Sequence, residues 1–261
     1  MQLIQGDCLK EMKNIPDKSI DLILTDPPYG TTACKWDTII PLDKMWIHLK
    51  RIIKDNGAIV LFGSEPFSSY LRMSNIKDYK YDWIWIKNSP TGFWNAKIMP
   101  MKNHENISVF YSKQPRYNPQ RTKRTYEEFK LCYRENDSNS NAGESFGGRS
   151  KKIIRKSKED QWYKNPNMDI YFNLDDKRDG SRHSTQKPVK LMEYLIKTYT
   201  NENEIVLDFT MGSGTTGVAC KQLNRDFIGI ELDPMYFKIA ETRIKKAVRQ
   251  EELFTEQELR L

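Results

Sequence analysis

Apolar residues in this chain fall into short unbroken runs that alternate with stretches spaced as helix faces. Ile20-Asp21-Leu22-Ile23-Leu24-Thr25 is apolar or β-branched at every position but one, which suits a strand buried on both faces. Ala58 to Phe62 repeats the pattern, Tyr81 to Ile86 and Ile107 to Tyr111 suit further strands, and Gln2 to Gln5 suits a short first one. Two more runs, Glu204 to Asp208 and Arg225 to Glu231, come late in the chain. Helical stripes separate them. Leu9, Met12 and Ile15 form one that Pro16 ends, and Leu42, Met45, Trp46, Leu49, Ile52 and Ile53 form another that runs to Asn56-Gly57. Phe67, Tyr70, Leu71 and Met73 suggest a third, and Leu191, Met192, Leu195 and Ile196 a fourth behind Pro188. Val218, Cys220 and Leu223, then Tyr236, Ile239, Ala240, Ile244 and Val248, mark two closing helices. Strands alternating with helices predict an α/β fold, a mostly parallel sheet with helices on both faces.

The residues that interrupt these runs carry the chemistry. Asp26-Pro27-Pro28-Tyr29-Gly30 stops the first buried run, because neither proline can donate to a sheet ladder and Pro28 holds Pro27 out of the helical region. A carboxylate and a phenol therefore sit on a stiff turn at the carboxyl end of a strand, where open α/β sheets bind ligands. An ordinary Pro-Pro turn would give the same local pattern. Asp208-Phe209-Thr210-Met211-Gly212-Ser213-Gly214-Thr215-Thr216 reads as strand end, glycine turn and helix start, a form that nucleotide and flavin loops share. The next strand ends in Glu231, placed to pair the ribose hydroxyls of a nucleoside cofactor. Ser184, Thr185 and Lys187 precede a helix start and suit a carboxylate. Asp7 reads equally as a cap for the helix that follows it.

These motifs resemble the amino-methyltransferases of DNA, which modify N6 of adenine or N4 of cytosine, and the resemblance covers nearly the whole chain. Their order here is similar to the permuted, β-type arrangement. A catalytic half (1–112) comes first, then a target-recognition insertion (113–182), a cofactor half (183–249) and a tail (250–261). The resemblance implies a Rossmann-like, circularly permuted methyltransferase fold and S-adenosyl-L-methionine as cofactor. It implies cofactor contacts from Asp7, Cys8, Ser184, Thr185, Lys187, Asp208, Thr210, Gly212, Gly214, Thr215, Thr216, Glu231 and Leu232. Asp7 would take the adenine amino group, and the Lys187 block the methionine carboxylate. The family usually has Pro where Ser184 stands and Phe where Thr210 stands. Serine is commoner than aspartate at position 26 in cytosine enzymes, so Asp26 tilts the expectation to adenine N6, with cytosine N4 as the alternative.

The chemistry expected of Asp26, Pro27, Pro28 and Tyr29 follows from the amine. Its lone pair is delocalised into the ring, so it is a poor nucleophile. The Asp26 carboxylate and Pro27 carbonyl can accept its two hydrogens and localise that pair, and the prolines fix both acceptors in advance. Tyr29 would stack on the base. Direct in-line transfer needs no covalent enzyme nucleophile, and a base in duplex DNA must first be flipped out.

Composition narrows the partners. Net charge is +7, and residues 113–182 hold 17 Lys and Arg against 11 Asp and Glu, so nearly all the excess lies there. Arg116, Arg121, Lys123, Arg124, Arg149, Lys151, Lys152, Arg155 and Lys156 interleave there with Tyr117, Tyr126, Phe129, Tyr133, Trp162 and Tyr163, which favours double-stranded DNA over a merely solvated surface. A homodimer and a cognate restriction endonuclease are further partners left open, and a DNA-binding module without catalysis is the reading from another class. The four scattered cysteines lack a Cys-x-x-Cys pair, so neither zinc nor a disulfide framework is expected. No run approaches the ~20 apolar residues of a membrane span. A reduced, metal-free, cytoplasmic protein is the default expectation.

Overall fold

The apolar runs become the strands of an eight-stranded sheet. The computed structural model of the chain describes residues 1–31, 37–132, 161–174 and 186–248. In chain order the strands are β1 (Gln2–Gln5), β2 (Ile20–Thr25), β3 (Ile53–Gly63), β4 (Tyr79–Thr91), β5 (Lys102–Phe110), β6 (Thr122–Lys123), β7 (Tyr163–Lys164), β8 (Asp169–Tyr171), β9 (Ile205–Asp208) and β10 (Asp226–Glu231). The helices are α1 (Cys8–Glu11), α2 (Leu42–Ile52), α3 (Phe67–Ser74), α4 (Tyr126–Cys132), α5 (Val189–Tyr199), α6 (Thr215–Gln222) and α7 (Pro234–Lys246). The sheet order is β1-β10-β9-β2-β3-β5-β4-β8. All neighbours are parallel except where β5 meets β3 and β4. The first strand thus pairs with the last, Gln5 opposite Glu231, and the late strands β9 and β10 lie between β1 and β2.

Two-sided burial explains why the central runs are unbroken. On one face Leu22, Leu24, Val60 and Val206 pack with Leu191, Leu195 and Ala219 of α5 and α6. On the other, Ile20, Ile23, Ile59, Leu61 and Leu207 pack with Met45, Trp46 and Leu49 of α2 and with Phe67 and Leu71 of α3. Every strand residue in these two sets is at most 4% exposed. At ~25 cal/mol per Å² of apolar surface, such burial is the main force holding helices to sheet.

Three features depart from the apolar pattern. β3 starts at Ile53, directly after α2, and its register with β2 shifts between Ile20↔Ile53 and Leu22↔Ala58. The Lys54 ammonium binds both Asp21 oxygens there, at 2.7 and 2.8 Å. β4 and β5 run on as a hairpin to Thr91↔Lys102, through polar residues that no hydrophobic run could mark. Residues 169–171, inside the charged stretch, add β8 to the sheet edge, where Ile170 is buried.

The chain forms two compact units, Met1–Asn118 with Met168–Leu261, and Pro119–Asn167. In the smaller unit β6 and β7 pair antiparallel, and the Phe129 and Trp162 rings stack at 3.9 Å and 6°. Among the described residues no helix is long and apolar enough to cross a membrane.

Candidate active site

The chain leaves β9 toward β10 but leaves β2 toward β3, on opposite sides, so a crevice opens at the carboxyl ends of β2 and β9. Asp26 follows β2, Asp208 ends β9, Glu231 ends β10, and Asp7 lies just past β1. All four line one cavity of about 440 Å³. Cys8, Pro27, Pro28, Tyr29, Lys187, Thr210, Gly212, Thr215, Thr216 and Leu232 line it too. Gly214 instead caps α6 at φ +78°, where an added Cβ would meet Ala240 at 2.8 Å. Ser184 and Thr185 lie outside the described residues.

Asp37 holds the turn after Pro28 in place. One of its carboxylate oxygens accepts the Tyr29 and Gly30 N–H groups at 2.7 and 2.8 Å, and the other accepts Thr31 N–H at 2.9 Å. Gly30 is needed there, since φ is +67° and a Cβ would reach Ile39 at 2.8 Å. Thr210 joins this turn to the glycine loop: its hydroxyl donates to the Asp26 carbonyl at 3.1 Å and its N–H to Asp208 at 3.2 Å. Thr210 thus ties the two turns together.

One end of the cavity holds a chain of charges. Tyr29 Oη donates to Asp26 Oδ1, and Lys187 Nζ to Asp26 Oδ2, both at 2.5 Å. Lys187 Nζ also lies 3.3 Å from Glu105 Oε2, and Lys87 pairs with Glu105 Oε1. Two ammonium groups therefore neutralise two carboxylates. Burial opposes charge on Lys187, but Asp26 and Glu105 outweigh it and hold the ammonium above the ordinary lysine value. Burial pushes the Asp26 carboxyl up against the pull of Lys187, with Glu105 adding to the rise. Burial, then Asp26, keep the Tyr29 phenol protonated and so a donor. Its ring stacks on Phe67, with centroids 5.2 Å apart.

The other end is built from backbone and acid. Glu231 accepts Gly212 N–H and Asp233 N–H, each at 2.8 Å, one on each oxygen, and burial raises its carboxyl. Asp208 accepts the Thr216 hydroxyl at 2.6 Å, and burial lifts its carboxyl to about 7. Asp7 caps α1, accepting from Leu9 and Lys10, while its residue still faces the cavity. Burial, then the Asp7 carboxylate, push the Cys8 thiol up to about 12, so it stays protonated.

A family model for DNA methylases of the N6/N4 kind matches residues 20–242. The chain belongs to this family. Among the methylases it resembles, the type II methyltransferase M1.MboII of Moraxella bovis is 30% identical over 89% of this chain and 92% of its own length. M.HinfI of Haemophilus influenzae is 28% identical over 94% of this chain and 68% of its own. The crystal structure of the M1.HpyAVI–SAM complex superposes with a TM-score of 0.61 at 27% identity, covering 93% of this chain and 98% of that one. The PvuII cytosine-N4-specific methyltransferase, 16% identical, shares the fold at a TM-score of 0.65 over 97% of this chain and 89% of its own.

The motifs of this methylase assign no role to Glu105 or to Asp37. Glu105 sits on β5, and only the hairpin brings it to Lys187. Asp37 stood in a polar stretch with no periodic signal. Lys187, expected at a cofactor carboxylate, has its ammonium on Asp26 and Glu105. Of the basic residues expected to meet DNA, Arg116 pairs with Glu204 at 3.2 Å, Arg124 donates to the Gln161 carbonyl at 3.1 Å, Arg121 lies over the Tyr163 ring, and Lys123 lies over Trp162. Arg149, Lys151, Lys152, Arg155 and Lys156 lie outside the described residues.

Proposed function

We propose that this methylase is a site-specific enzyme that transfers a methyl group from S-adenosyl-L-methionine to N6 of adenine in duplex DNA. The observation that carries the reading is the meeting, in one cavity, of the Asp26 turn with the Glu231 carboxylate and the Gly212 turn. The cavity's contents fit the cofactor. Glu231 keeps acceptor capacity on both oxygens for ribose hydroxyls, and Asp7 faces the same space with a carboxylate for an amino group. When bound, the cofactor supplies an electrophilic methyl group on a sulfonium.

The protein's own groups do the rest. Asp26 accepts a hydrogen bond from the base amine and draws its lone pair out of the ring. Tyr29 and Lys187 fix the Asp26 carboxylate before the base arrives, so little reorganisation remains for the reaction itself. The raised Asp26 carboxyl suits it to take the proton that the amine gives up. The Tyr29 ring offers a face to the base. Aspartate as the first residue of the four supports adenine over cytosine. The positive excess of the charged stretch supports its contact with phosphates, and the type II names of the relatives support a cognate endonuclease as partner.

Sequencing DNA from cells that express the chain, with detection of modified bases, returns base and site together. N6-methyladenine at one short motif is expected. An unmodified genome contradicts the proposal.

A further inference from the structure

The tip of the β4–β5 hairpin is apolar and faces solvent. Trp94 is 94% exposed and Ile98 82%, and Phe93, Met99 and Met101 are exposed beside them. This is not a loose strap. Gly92, at φ +89°, starts a tight turn in which Asn95 N–H donates to the Gly92 carbonyl at 2.9 Å and Ile98 N–H to the Asn95 carbonyl at 2.9 Å. Thr91 pairs with Lys102 at its base, and the Lys102 ammonium is tied to Ser64, just past β3. A preformed turn that exposes so much apolar surface is built to meet something.

Position and charge indicate the partner. β4 runs parallel to β2 and β3, so the tip projects from the edge that carries Asp26. Between Lys87 and Glu105 there is no acidic residue, while Lys97 and Lys102 are basic. That charge suits a polyanion. It does not suit a second copy: in a two-fold contact the patch would face itself, setting lysine against lysine with no acid of the segment to pair them.

We infer that this tip enters the DNA duplex beside the extruded base, with Phe93 and Trp94 filling the vacated place in the stack. The inference rests on the reading of the protein as a duplex-DNA methylase. Extrusion leaves a base-sized gap, and wedging side chains offset the cost of unstacking. The two rings are already set edge to face, with centroids 6.2 Å apart.

The test uses the full-length protein and a short duplex holding the site that sequencing returns, either fully paired or mispaired at the target base. Phe93→Ala with Trp94→Ala is expected to lower affinity and methylation rate on the paired duplex about tenfold, as for loss of an aromatic that stacks on a base. The loss should shrink on the mispaired duplex, where the stack is already broken. Cofactor affinity should not change, which shows the variant folded, and Trp94→Phe should restore most of the loss. Wild-type behaviour of the double variant on paired DNA overturns the inference, and so does an equal loss on both duplexes. Conversion of a dimer to a monomer at unchanged DNA affinity overturns it too, and assigns the tip to a second copy. If the wild-type protein methylates no DNA at all, the functional reading fails instead.

Discussion

Lys187 Nζ lies 2.5 Å from Asp26 Oδ2 and 3.3 Å from Glu105 Oε2, so an ammonium 161 residues along the chain sets the charge around the Asp26 turn. The cation pulls the Asp26 carboxyl down against the rise that burial causes, and the Glu105 carboxylate works the other way. Replacing them should therefore shift activity in opposite directions. In Lys187→Met the Asp26 carboxyl rises further, and the acid limb of kcat/KM moves to higher pH. In Glu105→Gln a nearby anion is lost, and the limb moves to lower pH. Limbs that stay where they are in both variants would remove Asp26 from the rate-determining ionisation.

Asp37→Ala removes the acceptor of three consecutive N–H groups. An unpaired buried donor costs about 1–3 kcal/mol, so thermal stability should fall. The turn would lose its fixed geometry, so kcat should drop at least about tenfold while calorimetry shows the cofactor still binding. Full kcat in a destabilised variant would make Asp37 a structural residue only.

Glu231→Ala should weaken cofactor binding by roughly 1.5–3 kcal/mol, the worth of hydrogen bonds to a charged group. It also frees the Gly212 N–H that shapes the glycine loop. Isothermal titration with S-adenosyl-L-methionine reads this directly, and unchanged affinity would place the cofactor elsewhere.

Asp208 gives a pH dependence of stability. Its folded carboxyl titrates near about 7, above the ordinary 3.8, because burial disfavours the charge. Between those values the folded state holds a proton that the unfolded chain releases, so stability falls as pH rises through the window. The total is about 4 kcal/mol. Asp208→Asn removes the effect, so its stability relative to wild type should be greater at about pH 8 than at about pH 5. Urea unfolding at the two values checks this, and a pH-independent difference would contradict it.

The strands most plainly legible in the sequence are those buried on both faces. Leu22 to Thr25 and Ala58 to Phe62 leave a continuous apolar record because helices cover both sides of the sheet. The hairpin arms Lys87–Thr91 and Lys102–Asn106 leave none, since the residues that pair there are polar and partly exposed. The site divides in the same way. Asp26, Gly212 and Glu231 stand beside prolines, glycines and strand ends that mark them locally. Glu105 and Asp37 act through contacts that only the folded chain creates. Asp7 was ambiguous for a physical reason: one carboxylate both caps α1 and faces the cavity.

The most direct measurement is the identity of the methylated base. Purified protein, S-adenosyl-L-methionine and unmethylated duplex DNA are incubated, the DNA is digested to nucleosides, and the products are resolved by mass spectrometry. N6-methyladenosine as its deoxynucleoside is expected from the wild type, and none from Asp26→Ala, whose cofactor affinity should stay within about tenfold. N4-methylcytosine from the wild type, or N6-methyladenine from Asp26→Ala, would contradict the adenine chemistry assigned to Asp26.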